Sequence, residues 1–233
     1  ILPMIDAIFL TNTANKDYHR MTSEAIDSLL GQADANIFVV ETNAGQPFGA
    51  YPGLTLEPRR PFNYNLCLNL AIPFGRNEFV FMCNNDIVFE PKSVDTLLRA
   101  MTSHLLESAS AWEPDWHPPR LGKPPLPVLM GYRIEYELCG WFVAARRSML
   151  HRLRPLDDRF EFWAQDMDYS MTLERNNVRH GLVTTSIVRH LGSKSHDLLG
   201  DDADRMTHDQ IDKFNAKWGT DLYTVRKPKT QGS

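Results

Sequence analysis

Three short apolar runs stand out in the first half of the chain: Ile5–Leu10, Ile37–Val40 and Phe79–Cys83. A run of that length without alternation fits a strand buried on both faces, as in a parallel sheet. Each run ends in polar residues: Thr11 to Asn15, Glu41-Thr42-Asn43, and Asn84-Asn85-Asp86. Between the first two, Tyr18, Met21, Ala25, Ile26 and Leu29 recur at helical spacing, and Gly31 marks the stop. Strand, helix, strand in that order is a βαβ unit. Residues 45–61 are rich in glycine and proline and read as a loop. Asn63–Ala71 reads as a helix with Leu66 and Leu70 inward and Asn65 and Asn69 stacked four apart. Pro91 is expected to open an amphipathic helix whose buried stripe is Val94, Leu97, Leu98, Met101 and Leu105.

The pattern loosens after that helix. Trp112–Pro127 holds six prolines and two tryptophans, which excludes a helix or a central strand. Tryptophans in such an excursion either contact a sugar or pin the loop to the core, and pinning is the reading favoured here. Val128–Met130 and Leu138–Ala145 read as strands, with Gly140 marking a close approach of backbone or ligand. Helices are expected over Arg146–Leu153 and over Asp166–Asn176, the latter with an acidic first turn that the helix dipole favours. Leu182–Ser186 reads as a strand, followed by Ile187–His190. A last helix carries Ile211, Phe214 and Trp218 and ends at Gly219. The alternation of strands and helices predicts an α/β fold with a mostly parallel central sheet flanked by helices.

Composition narrows the class. Hydrophobic residues make up 42% of 233, enough for a substantial core. A net charge of −4 and a pI of about 6.1 imply no general affinity for nucleic acid or anionic membrane. Cys67, Cys83 and Cys139 are scattered in apolar contexts and read as core residues, with no disulfide framework or zinc spacing. No apolar run approaches the roughly 18 residues of a membrane span, and no signal-peptide pattern is present. The chain opens at Ile1 and not at an initiator Met, as a trimmed chain would. A cytoplasmic protein is the expectation.

The candidate chemistry sits at the strand ends. In open α/β sheets ligands bind beyond the carboxyl ends of the strands. There Asp86 could hold a hard cation, and Asn84 and Asn85 could hydrogen-bond a sugar or base, although Asn-Asn-Asp also suits a plain turn. Further on come Leu156-Asp-Asp-Arg-Phe160, Phe162-Trp-Ala-Gln-Asp-Met-Asp168 and Arg189-His-Leu-Gly192. Taken in order with the strand-end motif, these segments resemble the inverting GT-A glycosyltransferases of family two, notably the rhamnosyltransferase-like members. The resemblance runs from the end of the first strand to Lys217-Trp218-Gly219.

The resemblance implies a single domain over residues 1–219. A nucleotide-binding half would span 1–110, an acceptor and catalytic half 111–199 and a C-terminal helix 200–219, with a flexible tail over 220–233. It implies transfer of a hexosyl group from a nucleotide-diphosphate sugar, with UDP or dTDP as the nucleotide, to a hydroxyl on a glycan or other acceptor. Asp86 matches the metal-binding aspartate, for Mn²⁺ or Mg²⁺, and His190 the histidine that can complete that site. Asn84 matches the position against the ribose, with Asn85 beside it. Thr11 and Glu41 match the strand ends that cradle the base, and Asp166 matches the general base. Two positions depart from the family pattern. Gln165 stands where glutamate is usual, and Asn84 where aspartate is commoner.

The chemistry is coherent with that assignment. A divalent cation neutralises charge on a leaving diphosphate, and one carboxylate on the opposite face can take the acceptor proton, giving inversion. Other readings remain at this level. His190 could be a hydrogen-bonded structural histidine, with His196 as the alternative ligand. Asp166 could be a helix N-terminal carboxylate with Asp168 its solvated neighbour, and Asp157 and Asp158 read as turn or cap residues. A nucleotidyltransferase would want a glycine-rich basic loop after the first strand, and Thr11 to Lys16 has no glycine. A nucleotide-sugar-binding module without turnover is the other alternative.

Overall fold

The computed structural model describes residues 2–58, 61–161, 163–192 and 202–221, with the backbone alone over 202–208. His196, Phe162 and most of the expected tail, from residue 222 on, lie outside the described residues. In chain order the elements are β1 (Ile5–Thr11), α1 (Lys16–Leu30), β2 (Ala35–Glu41), β3 (Leu54–Leu56), α2 (Tyr64–Ala71), β4 (Phe79–Asn84), β5 (Ile87–Phe89) and α3 (Ser93–Ser103). They continue with β6 (Ser108–Trp112), α4 (Pro118–Leu121), β7 (Val128–Met130), β8 (Phe142–Arg146), α5 (Arg147–Leu153), α6 (Gln165–Arg175), β9 (His180–His190) and α7 (Asp202–Trp218).

The strands form one mixed sheet in the order β3-β2-β1-β4-β8-β6-β9-β5, with β7 also paired to β9. β3, β2, β1 and β4 run parallel, β8 runs against β4 and β6, and β9 runs parallel to β6. The carboxyl ends of β1, β2, β4 and β9 therefore share one edge of the sheet.

Side-chain alternation sorts the core into two layers. Ile5, Ala7, Phe9, Phe79 and Phe81 face α1 and α3, where they meet Ala25, Ile26, Leu97 and Leu98. Ile8, Leu10, Val80 and Met82 face the other way, onto Cys67 and Leu68 of α2, Met149 of α5 and Tyr169 of α6. A smaller cluster of Phe160, Ala164 and Phe214 docks α7 against the start of α6. All three cysteines are free and buried. At the edge opposite the strand ends, buried Asp6 pairs with Arg147 at 2.6 Å and accepts from Asn36 and Asn77, so its charge is fully partnered. No described helix is long and apolar enough to cross a membrane.

Several local expectations are corrected. On α2 the inward residues are Asn65, Cys67, Leu68 and Ala71, while Leu70 is exposed. The helix is turned because its asparagines reach backbone carbonyls of a neighbouring loop, described below. α3 begins at Ser93 and not at Pro91, since Lys92 at φ +70 turns the chain first. It ends before Leu105, which is 70% exposed, and Leu106 fills the core instead. Pro118 and Pro119 open a one-turn helix inside the excursion, as proline does at a first helical position. Trp112 is buried there and Trp116 packs on the core, so the excursion is pinned as expected.

Three strands were not anticipated. Inside residues 45–61, expected as a loop, Leu54–Leu56 forms β3 by pairing in parallel with β2. Ser108-Ala-Ser-Ala-Trp112 has little strand propensity, but it is wholly buried between β8 and β9, where packing overrides propensity. Ile87–Phe89 forms β5 by pairing with the last residues of β9. β9 is itself one continuous strand, with a register irregularity against β6. Residues 138–141 are not strand. A turn occupies them, and β8 starts at Phe142.

Two buried histidines make the fold acid-sensitive. His180 lies between the Ser108 hydroxyl (2.9 Å) and the Glu137 carbonyl (3.0 Å), and His117 stacks on Trp112 with its Nδ1 accepting from the Glu113 N–H. Burial pushes each down to about 4. Below about 6.5 the unfolded chain takes up protons that the folded chain refuses, so stability falls as pH drops from about 6.5 towards 4. The expected loss is about 2 kcal/mol per histidine by pH 5. Urea midpoints at pH 7 and pH 5 measure it, and equal midpoints would contradict the buried neutral state.

Candidate active site

β5 brings Asp86 and His190 together. Ile87 pairs with His190 across the antiparallel β5–β9 ladder, and the Leu191 N–H donates to the Asp86 carbonyl. The side chains follow: His190 Nε2 lies 3.2 Å from Asp86 Oδ2. The imidazole is held flat against Trp141, with ring centres 5.5 Å apart and planes 12° apart. Asp86 is 3% exposed, and its Oδ1 is buried without a hydrogen-bond partner. A buried carboxylate oxygen in that state is costly unless something else completes it.

A divalent cation fits that geometry. Two ligands at right angles, each about 2.1 Å from a cation, stand about 3 Å apart, close to the observed Asp86–His190 spacing. The carboxylate suits a hard cation such as Mn²⁺ or Mg²⁺, and the imidazole, a transition-metal ligand, favours Mn²⁺ of the two. Among the described residues no group of three or more His, Cys, Asp or Glu side chains could enclose an ion alone. The remaining positions would fall to a substrate's oxygens and water.

The other strand-end candidates gather beside this pair, largely as framework. Thr11 and Glu41 are register partners on β1 and β2, and Asn84 pairs with Leu10 on the other flank of β1. Glu41 is buried. Its Oε1 accepts from the backbone N–H groups of Thr13 (3.0 Å) and Asn43 (2.8 Å), and its Oε2 from the Thr13 hydroxyl. The Tyr51 hydroxyl joins Thr13 at 2.6 Å. Glu41 thus fixes the loop after β1. The Asn85 amide lies 3.2 Å from both the Thr11 and Thr22 hydroxyls, tying β4 to β1 and α1. Asn84 is half-buried at the rim, its N–H donating to the Trp141 carbonyl.

Asp166 lies in the first turn of α6, where its Oδ1 accepts the Met167 N–H at 2.8 Å. The turn is entered through Ala164, which takes the left-handed conformation (φ +60) inside the Phe160–Phe214 cluster. Asp166 packs on Gly140, the residue before the tryptophan that stacks on His190. The two sequence-predicted centres therefore meet on one short segment, Cys139-Gly140-Trp141.

Asp168 is not a solvated neighbour. It is 5% exposed, 2.7 Å from the Lys217 ammonium, and accepts from the Trp218 indole at 2.8 Å. Burial pushes its carboxyl up, against the pull of these two donors. Lys217 also pairs with Asp157 at 2.9 Å, and Arg159 with Lys217 holds that carboxyl well below the usual range. These contacts dock α7 on α6. Asp157 lies in a loop that α2 grips through a row of asparagine amides: Asn63 on the Asp158 carbonyl, Asn65 on Asp157, and Asn69 on Leu156.

The sequence reading missed Tyr64, Trp141 and Lys217. The i, i+4 asparagines and the close-approach glycine were visible in the chain, but nothing local names their partners.

No protein-family model matches the chain, and no curated protein matches it in sequence. Among solved structures the fold is similar to GalNAc-T7 in complex with UDP, GalNAc and Mn²⁺, with a TM-score of 0.66 and 9% identity. That match covers 97% of this chain and 54% of GalNAc-T7, so the chain spans about half of it. It is also similar to residues 1–349 of S. aureus TarS, with a TM-score of 0.60, 12% identity, and coverage of 97% and 76% of the two chains. Both neighbours are GT-A glycosyltransferases, and the architecture here is that fold.

Proposed function

We propose that the chain transfers a sugar from a nucleotide-diphosphate sugar to an acceptor hydroxyl, with inversion and with help from a divalent cation. The observation that carries this reading is the buried, half-partnered Asp86 carboxylate 3.2 Å from His190, at the carboxyl end of β4. Its placement on a fold shared with a structure holding UDP and Mn²⁺ supports it. Asp86 and His190 hold the cation, and Trp141 keeps the imidazole oriented. When bound, the cation neutralises negative charge building on the leaving diphosphate. The framework of Thr11, Thr13, Glu41 and Asn85 fixes the strand ends against which the nucleotide lies, with Asn84 at the rim beside the ribose. Asp166 takes the proton from the acceptor hydroxyl on the face opposite the leaving group.

The nucleotide is UDP or dTDP. A thermal-shift panel of these diphosphates tests the reading, because a ligand that binds only the native state raises its melting point. UDP or dTDP with Mn²⁺ is expected to raise the midpoint by several degrees, and either component alone by much less. A nucleotide response that ignores Mn²⁺ would favour a binding module over this enzyme.

A further inference from the structure

We infer that Gly140 and Tyr64 are positioning residues that set where the Asp166 carboxylate stands relative to the Asp86–His190 pair. The inference rests on the reading of Asp166 as the base. Gly140 has no positive φ, so its backbone would tolerate any residue. What excludes a side chain there is Asp166. A Cβ added to Gly140 would lie 2.9 Å from Asp166 Cβ and 3.2 Å from its Oδ2. The contact is with the root of the side chain, so rotation of the carboxylate cannot relieve it, and the first turn of α6 and the Gly140 segment must move apart.

Gly140 is itself fixed from α2. The half-buried Tyr64 donates its hydroxyl to the Gly140 carbonyl at 2.9 Å. On its other side, Trp141 donates nothing to this bond but carries two contacts of the metal pair's wall: its ring lies against His190, and its carbonyl accepts the Asn84 N–H at 2.9 Å. One residue thus touches the base and the next touches the imidazole. The spacing between the two centres is set by a single peptide unit that Tyr64 holds in place. A cavity of about 20 Å³, bordered by Tyr64, Leu68, Met82, Gly140, Asp166 and Tyr169, lies beside this contact. It gives the turn room to shift, so an added methyl displaces Asp166 without unfolding the domain.

The test is a double-mutant cycle on turnover of a panel of UDP- and dTDP-sugars with Mn²⁺, read as release of the nucleotide diphosphate. Gly140→Ala is expected to lower turnover about 10- to 100-fold, the size of effect expected from a misplacement of about 1 Å. Calorimetric affinity for the nucleotide diphosphate with Mn²⁺ should stay within about 2-fold. In an Asp166→Asn background the same glycine change should cost less than about 2-fold, because a residue that acts through the carboxylate has nothing left to act on. Tyr64→Phe keeps the ring, loses only the hydrogen bond, and should follow the same non-additive pattern with a smaller loss; it carries the test if Gly140→Ala does not fold. Equal losses in both backgrounds, wild-type turnover in both variants, or a loss of nucleotide affinity would overturn the inference. Full activity of Asp166→Asn alone would instead overturn the base assignment, and the inference with it.

Discussion

Asp166→Asn is expected to lower turnover by about two to four orders of magnitude, the usual cost of losing acid–base help. The amide fills the same space and can still accept the Met167 N–H, so the first turn of α6 is preserved. What it cannot do is take a proton. Affinity for the nucleotide diphosphate should stay near that of the parent, because the Asp86–His190 pair is untouched. Steady-state turnover alongside calorimetry separates the two effects. The companion variant Asp168→Asn has a different expected signature. Its carboxylate is paired with Lys217 and Trp218, so the change should lower the melting point by loosening α7 and affect turnover less. If Asp168→Asn proves the inactive, well-folded variant while Asp166→Asn turns over normally, the base has been placed two residues out of register.

The second large effect is on binding. Asp86→Ala removes the only carboxylate of the candidate cation pair and should abolish the Mn²⁺-dependent part of nucleotide diphosphate affinity. The fold should survive. Among the described residues the polar partner of the Asp86 side chain is His190, and its Oδ1 has no hydrogen-bond partner to lose. Removing an under-satisfied buried carboxylate relieves desolvation, so the variant's melting point without ligand should not fall by more than a few degrees. Calorimetric titration of UDP with and without Mn²⁺ reads the result, and unchanged metal dependence in the variant would move the cation elsewhere.

Much of this architecture was legible in the chain for a simple reason. Residues 5–11, 37–41 and 79–83 are buried on both faces, so their apolar runs carry the fold without help from distant residues. The helix from Lys16 to Leu30 was legible for the same kind of reason, since one stripe of it faces the sheet. β5 and β6 were not. Ile87–Phe89 is three residues long and exists only because β9 pairs with it, and the small residues of Ser108–Trp112 are selected by tight packing between two strands.

The same division runs through the site. The candidates Asp86, His190 and Asp166 came from motifs at strand ends and a helix start. Their convergence on Cys139-Gly140-Trp141 depends on pairings that span the chain. Asp168 was misjudged because its environment is made by Lys217 and Trp218, about fifty positions away in sequence. Glu41 and Asn85 were picked for chemistry facing a ligand, and the structure engages both within the framework.

Sugar transfer can be followed by NMR of a nucleotide sugar and its product, with and without Mn²⁺. A UDP- or dTDP-sugar is expected to be consumed only when Mn²⁺ is present, and the first product formed to have the opposite anomeric configuration to the donor. A product of retained configuration, or consumption that proceeds equally well without the cation, would contradict a cation-assisted inverting transfer.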